Sequence, residues 1–238
     1  MSISGDVAKG PGWELRCGRY QDALADVPIC DSVITDPPYD ERTHAAAAAV
    51  ARAEFADGNT RQAIPYEPWG QDQYAAFVDA WSGLCRGWFV CITSHALAPT
   101  VAEAMGRNGR YVFVPLPFVA PGSRVRLAGD GPSNWTCWIV VSRPRSREWQ
   151  TWGTLPGAYI GPPESMPIIG GKPLWLMRAL VRDYSRPGDL IVDPCAGAGT
   201  TLLSAAIEGR RGLGAEMDPD TYNLAARRLR AGYTPAMI

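Results

Sequence analysis

The sequence has 238 residues, 46% of them hydrophobic, and a net charge of -1. These values are typical of a globular protein with its own core, and they exclude a polycation that coats nucleic acid by bulk charge alone. Six cysteines without a C-x-x-C pair and only two histidines do not favour zinc, so we expect no metal. The sequence has no run of apolar residues long enough for a membrane helix and no signal-peptide pattern, so we expect a cytoplasmic protein with no membrane partner.

Predicted strands and helices alternate along the chain, which favours an α/β sheet. In the N-terminal half we predict a strand over 31–35, a helix over 73–84, a strand over 88–93 and a helix over 97–105. In the C-terminal half we predict a helix over 173–184, a strand over 189–192, a helix over 200–208, a strand over 212–216 and a helix over 219–230. The strands over 31–35 and 189–192 are each followed at once by unusual turn residues.

The pattern changes between about residues 107 and 160, where prolines cluster and tryptophans alternate with arginines. The arginines here are Arg107, Arg110, Arg124, Arg126, Arg143, Arg145 and Arg147. Within a chain of net charge -1, this local excess favours contact with phosphates over a solvated basic face. We interpret the region as an insertion with its own role.

A glycine-rich turn joins the strand over 189–192 to the next helix. Gly197 and Gly199 allow the backbone to approach a ligand closely, and the helix start offers free N–H groups to an anion. The spacing is G-x-G only, and Leu202 replaces the third glycine of a dinucleotide site. The turn also lacks the lysine of a phosphate-binding P-loop. It therefore predicts either a different ligand or a tight turn that binds nothing.

An acid, Glu216, ends the next strand about twenty residues after the glycine turn. An acid in this place of a βαβ unit commonly accepts hydrogen bonds from ribose hydroxyls. The alternative role is helix capping, which we assign to Asp218 instead.

The segment Asp36-Pro37-Pro38-Tyr39 carries the more specific signal. Two successive prolines fix two φ angles and remove two N–H donors, so the segment is rigid and its carbonyls can accept. A carboxylate and a carbonyl can together accept both hydrogens of an amino group, while a tyrosine ring can stack on a flat heterocycle. The alternative is a proline-rich turn without a ligand.

DPPY followed by DPxAGxGTT, in that order, resembles the amino-methyltransferases of DNA of the permuted β-group. The likeness extends from Lys172 to Arg227 and includes the N-terminal segment up to Tyr39. It implies a Rossmann-like S-adenosylmethionine-dependent methyltransferase fold, a mostly parallel twisted sheet with helices on both faces. It also implies a catalytic half over 1–106, an inserted target-recognition region over 107–160 and a cofactor-binding half over 161–238.

The resemblance assigns roles residue by residue. The catalytic residues are Asp36, Pro37, Pro38 and Tyr39. The residues that bind S-adenosylmethionine are Asp193, Pro194, Cys195, Ala196, Gly197, Gly199, Thr200, Thr201, Glu216, Lys172, Pro173 and Asp22. From the local excess of arginine, we expect nucleic acid to be contacted by Arg124, Arg126, Arg143, Arg145 and Arg147.

Two positions depart from the family pattern. Arg19 follows Gly18 where the family often has an acid that contacts the adenine end of the cofactor, and Asp22 is the nearest acid. Cys195 stands where the family usually has phenylalanine. We interpret this cysteine as a small buried residue and not as the nucleophile of cytosine-C5 enzymes.

The resemblance implies a site-specific enzyme that methylates N6 of a flipped adenine in double-stranded DNA by direct transfer. N4 of cytosine is the alternative target, and RNA, a protein glutamine or a non-catalytic DNA-binding role are further alternatives. Relatives with this motif order often form dimers, which leaves a homodimer open. A restriction-modification role, phage self-protection and gene regulation all remain open.

Overall fold

The structure is a computed structural model that describes residues 5–27, 29–41, 67–123, 132 and 134–232. The strands are β1 Val7–Gly10, β2 Trp13–Cys17, β3 Ser32–Thr35, β4 Phe89–Thr93, β5 Tyr111–Val112, β6 Leu116–Val119, β7 Thr136–Arg143, β8 Tyr159–Ile160, β9 Leu190–Asp193 and β10 Arg211–Glu216. The helices are α1 Tyr20–Ala23, α2 Gln71–Ser82, α3 Ala98–Arg107, α4 Leu174–Tyr184, α5 Thr200–Ile207 and α6 Pro219–Ala231, with a 3-10 turn at Arg147–Thr151.

All ten strands form one sheet in the order β1-β2-β10-β9-β3-β4-β7-β6-β8, with β5 also paired to β7. The five central strands are parallel to one another, in the spatial order β2, β10, β9, β3 and β4. β1 is antiparallel to β2, and β7 is antiparallel to β4. The mostly parallel sheet with helices confirms the predicted Rossmann-like methyltransferase fold. In such sheets, ligands bind at the carboxyl ends of the parallel strands.

Helices cover both faces of the sheet. Successive side chains along a strand point to opposite faces, and in the central strands both sets are therefore buried. Val33 of β3 faces a core cluster that includes Phe77 of α2 and Met105 of α3. The next residue, Ile34, faces the opposite cluster with Leu180 of α4. A third cluster, around Leu202 of α5, packs α6 and the edge strands.

Residues 107–160, which the sequence presented as an insertion, contribute strands to the same sheet. β7 pairs with β4 from Phe89↔Ser142 to Thr93↔Trp138, and β6 pairs with the outer side of β7. The described part of this region therefore extends the central sheet. The segment after β6 and the segment before β7 are joined by a hydrogen bond, in which Ala120 N–H donates to Trp135 O at 3.0 Å. This bond lies at the edge of the sheet where β3 and β4 end.

Candidate active site

The two motif-bearing strands are neighbours in the sheet. β3 and β9 are parallel, with Val33 opposite Val192, so both turns leave the same edge. A side-chain hydrogen bond joins them directly, since Thr35 Oγ1 donates to Asp193 Oδ1 at 2.7 Å. The residues before each motif therefore hold the two turns side by side, although 158 positions separate them in the chain.

A cleft of about 270 Å³ lies between the two turns. From the predicted site, the residues that line it are Asp36, Pro38, Lys172, Asp193, Pro194, Cys195, Ala196, Gly197, Thr200, Thr201 and Glu216. Gly18 to Gln21, Trp69, Ile168 and Met217 are among the residues that complete the wall. The carboxylates in the lining are Asp36, Glu67, Asp193 and Glu216, and the cations are Arg19 and Lys172. Acids therefore outnumber bases, which favours a ligand with positive charge.

Both oxygens of the Asp36 carboxylate accept hydrogen bonds from nearby side chains. The Tyr39 hydroxyl donates to Oδ1 at 2.8 Å, and the Lys172 ammonium donates to Oδ2 at 2.5 Å. Lys172 Nζ also lies 5.0 Å from the centre of the Tyr39 ring. The sequence had assigned Lys172 to the cofactor, whereas the structure also brings it onto the carboxylate of the DPPY segment.

The rest of that segment packs against α2. The Tyr74 hydroxyl donates weakly to Pro37 O at 3.4 Å, and Trp69 N–H donates to Tyr39 O at 3.1 Å. Burial, with the Asp36 charge beside it, raises the pKa of the Tyr39 hydroxyl well above its ordinary value. Tyr39 therefore stays a neutral donor to Asp36 at physiological pH.

The carboxylate of Asp193 belongs largely to the scaffold. It is 2% exposed and accepts from Thr35, from Thr201 Oγ1 at 2.5 Å and from Cys195 N–H at 3.1 Å. Burial raises the pKa of Asp193 to about 6, while these donors lower it. Asp193 thus connects β3, β9 and the start of α5 through one buried group.

The glycine turn requires glycine at both positions. Gly197 and Gly199 have φ angles of +50° and +74°, a left-handed region that costs other residues energy. A side-chain carbon on Gly199 would also lie 3.1 Å from Leu229 Cδ1. The first-turn N–H groups of α5 follow this turn directly.

Cys195 lies in the same turn. Burial raises the pKa of its thiol well above its ordinary value. A neutral thiol is a poor nucleophile, in keeping with the interpretation of Cys195 as a small packing residue.

Glu216 is 6% exposed at the end of β10, and its Oε1 accepts from Asp218 N–H at 2.8 Å. Burial raises the pKa of Glu216 to about 7. The predicted capping role of Asp218 is confirmed, because its side chain accepts from Thr221 N–H at the start of α6. Glu216 is therefore a buried acid in the cleft wall, and backbone N–H groups of Asp218 and Gly197 favour its ionised form.

Several predicted site residues do not line the cleft. Asp22 is exposed on α1, and the residues just before it, Arg19 to Gln21, line the wall instead. Pro37, Tyr39, Pro173 and Gly199 lie behind the lining residues. Sequence analysis missed Trp69 and Ile168; Trp69 lies 6.2 Å from Tyr20, ring centre to ring centre. No motif marks these residues, and only the packing of distant segments identifies them.

The predicted DNA-contacting arginines fall into two groups. β7 runs antiparallel to β4, so Arg143 lies toward the edge opposite Asp36, about 13 Å away along the strand direction. Arg145 and Arg147 follow it there and are exposed. The contact of these three arginines with nucleic acid stays a prediction. Arg124 and Arg126 lie outside the described residues, in the connection whose arms start at the site edge.

Within the described ranges, no group of three or more His, Cys, Asp or Glu side chains is arranged to hold a metal ion. The same ranges contain no helix that is long and apolar enough to span a membrane.

Comparison with known proteins gives matches in both sequence and fold. A family model described as DNA methylase matches residues 164–227. The type II methyltransferase M.HindIII of Haemophilus influenzae is 39% identical over 61 residues, which are 26% of this chain and 20% of that protein. The DNA adenine methyltransferase YhdJ of Escherichia coli is 36% identical over 58 residues, 24% of this chain and 20% of that protein. The matched segments thus span about a fifth of the length of these relatives.

Solved structures share the fold over nearly the whole chain. M1.HpyAVI in complex with SAM has a TM-score of 0.69 at 17% identity, over 91% of this chain and 99% of that one. The cytosine-N4-specific PvuII DNA methyltransferase has a TM-score of 0.67 at 16% identity, over 94% and 89% of the two chains. Residues 164–227 are thus similar in sequence to DNA methylases of the N6/N4 group, and nearly the whole chain shares the fold of solved DNA methyltransferase structures.

Proposed function

We propose that this protein transfers a methyl group from S-adenosylmethionine to the exocyclic amino group of a base in DNA, with N6 of adenine as the target. One observation carries the proposal: the Asp36 carboxylate and the glycine turn at Gly197 line the same cleft. The carboxylate can orient an amine, and the turn suits a charged ligand. The cleft holds the two close to each other. Positioning two reactants in this way supplies much of the rate of a direct transfer.

The residues of the cleft fit S-adenosylmethionine. Glu216 lies in the cleft wall, where its carboxylate has lone pairs to accept from ribose hydroxyls. The start of α5 offers N–H groups to a carboxylate, and the acidic lining favours a sulfonium. The bound cofactor would supply an activated methyl group. The residues of the chain would bind it, orient the target amine and exclude water from between them.

The target amine would be held by Asp36. Each carboxylate oxygen keeps a second lone pair beyond its bond to Tyr39 or Lys172, so Asp36 can still accept from an amino group. The base must leave the duplex to reach this carboxylate, at a cost of a few kcal/mol. We propose that Arg124 and Arg126 contact the phosphates beside it, and the salt dependence of DNA binding by the double alanine variant tests this.

The test of the function is the identity of the product. Purified protein is incubated with S-adenosylmethionine and unmethylated genomic DNA, which is then digested to nucleosides and analysed by mass spectrometry. We expect N6-methyladenine. N4-methylcytosine would move the target to cytosine, the activity named for the PvuII enzyme, and no methylated base on DNA would contradict the proposal.

Burial raises the pKa of Glu216 to about 7. We therefore expect the affinity for S-adenosylmethionine to rise as the pH increases through this value. The ionised carboxylate accepts from ribose hydroxyls, whereas below this pH the protonated form must first lose its proton. Affinity measured by calorimetry should fall about tenfold from pH 8 to pH 6. In Glu216→Gln the affinity should be lower throughout and should not change over this pH range. An equal pH dependence in wild type and variant would assign it to another group.

A further inference from the structure

Among the residues that the structure describes, Lys172 carries the cation closest to the Asp36 carboxylate, the proposed acceptor of the target amine. Its side chain is 8% exposed, and Nζ makes two hydrogen bonds, at 2.5 Å to Asp36 Oδ2 and at 2.8 Å to Gly170 O. A buried ammonium loses hydration, which is compensated only if a charged partner and further acceptors surround it. Its position is therefore fixed by the same carboxylate that the proposed reaction uses.

The loop before α4 is built to present this side chain. Gly170 adopts a left-handed φ of +81°, which aims its carbonyl at the ammonium of the residue two positions later. Glu164 accepts from Leu174 N–H at 2.7 Å and so caps the start of α4. Lys172 is thus held between a glycine in the left-handed region and a capped helix start, and its ammonium is bonded on both sides, to Gly170 O and to Asp36.

The sequence composition separates Lys172 from the other cations. Of the 23 lysines and arginines, only Lys9 and Lys172 are lysines. Lys9 is on an exposed edge strand, with its side chain 66% exposed. A lysine at position 172 supplies a compact point charge, whereas a guanidinium would require room for a planar fork.

We infer that Lys172 is a positioning residue for the methyl transfer, which holds the Asp36 carboxylate fixed as the acceptor of the target amino group. This role rests on the proposed function. In the reaction, the amino nitrogen bonds to the methyl carbon as the carbon–sulfur bond breaks, and the nitrogen then loses one proton. Asp36, with both oxygens already held by Tyr39 and Lys172, orients the amine, and the proton passes on to water.

The experiment compares Lys172→Gln, Lys172→Arg and the matched control Lys9→Gln with the wild type, using DNA methylation and cofactor calorimetry. For Lys172→Gln we expect kcat to fall about 100-fold, with little change in KM for DNA. The loss should appear in kcat because without the ammonium the Asp36 carboxylate loses one of the two donors that fix its position. Lys172→Arg should restore part of kcat, and Lys9→Gln should match the wild type.

Cofactor binding separates this role from its alternatives. We expect the dissociation constant for S-adenosylmethionine in Lys172→Gln to stay within about threefold of the wild type, a result that also reports a folded variant. A rise in that constant parallel to the loss of kcat would make Lys172 a cofactor residue and overturn the inference. Equal loss of kcat in Lys172→Gln and Lys172→Arg would do the same, because the charged variant would then not replace the ammonium. No transfer by the wild type would instead overturn the proposed function, and the role of Lys172 with it.

Discussion

Replacement of Asp36 by alanine is expected to abolish methyl transfer, with kcat reduced by at least about 1000-fold. The variant has no group that accepts from the target amine, and the Tyr39 hydroxyl and the Lys172 ammonium lose their shared acceptor. Because the glycine turn and Glu216 remain in place, affinity for S-adenosylmethionine should stay within about threefold. Single-turnover methylation and calorimetry on the same preparation measure the two effects.

The conservative variant Asp36→Asn separates charge from shape in this prediction. The amide keeps the size of the side chain but turns one acceptor into a donor, so we expect at least about a 100-fold loss of kcat. The matched control is Asp79→Asn, which lies on the surface of α2 beside Arg107 and should retain full activity. Near-normal turnover by Asp36→Ala would remove the basis of the assigned chemistry.

The largest loss of stability is expected from Asp193→Ala. Its carboxylate accepts from Thr35, Thr201 and Cys195 in a buried place, and truncation leaves these donors without their acceptor. We expect the free energy of unfolding to fall by about 2–4 kcal/mol, as measured by urea denaturation at pH 7. Asp193→Asn, which keeps an acceptor, should lose less.

The pH dependence of stability provides an independent check on Asp193. Burial raises the pKa of Asp193 in the folded state to about 6, above its ordinary value of 3.8. The folded state therefore binds a proton more readily than the unfolded state, and this group adds stability as pH falls from about 6 to about 4. The wild type should gain stability relative to Asp193→Asn across that window. If the difference in unfolding free energy between the wild type and Asp193→Asn stayed constant with pH, this would contradict the raised pKa of Asp193.

The turn chemistry could be predicted from the sequence because it is local. Two prolines after a β-branched strand, or two glycines between a strand and a helix, restrict the backbone wherever they occur. That both turns share one edge also followed from the α/β pattern, since the carboxyl ends of parallel strands lie together. The Rossmann-like fold was confirmed for this reason, and the first-turn cap at Asp218 for a similar one.

The outer part of the sheet could not be predicted in this way. β6 contains Pro117, and β5 and β8 have two residues each, so their pairing with longer strands leaves no periodic pattern. The exposure of charged side chains could not be predicted from the sequence either, as Arg110 shows. It was counted with a basic surface but is 4% exposed, and it donates to Ser142 Oγ at 2.8 Å. The direction of a cationic side chain depends on distant strands, as does the meeting of Lys172 with Asp36 across 136 positions.

The hydrogen bond between Thr35 and Asp193 has a consequence for how such a protein can evolve. It joins two neighbouring strand ends by contacts through space, so the order in which the chain visits them does not affect their geometry. A gene rearrangement that cut the polypeptide elsewhere and rejoined it would keep this pair intact. Ancestry traced by motif order would then separate proteins whose catalytic architecture is the same.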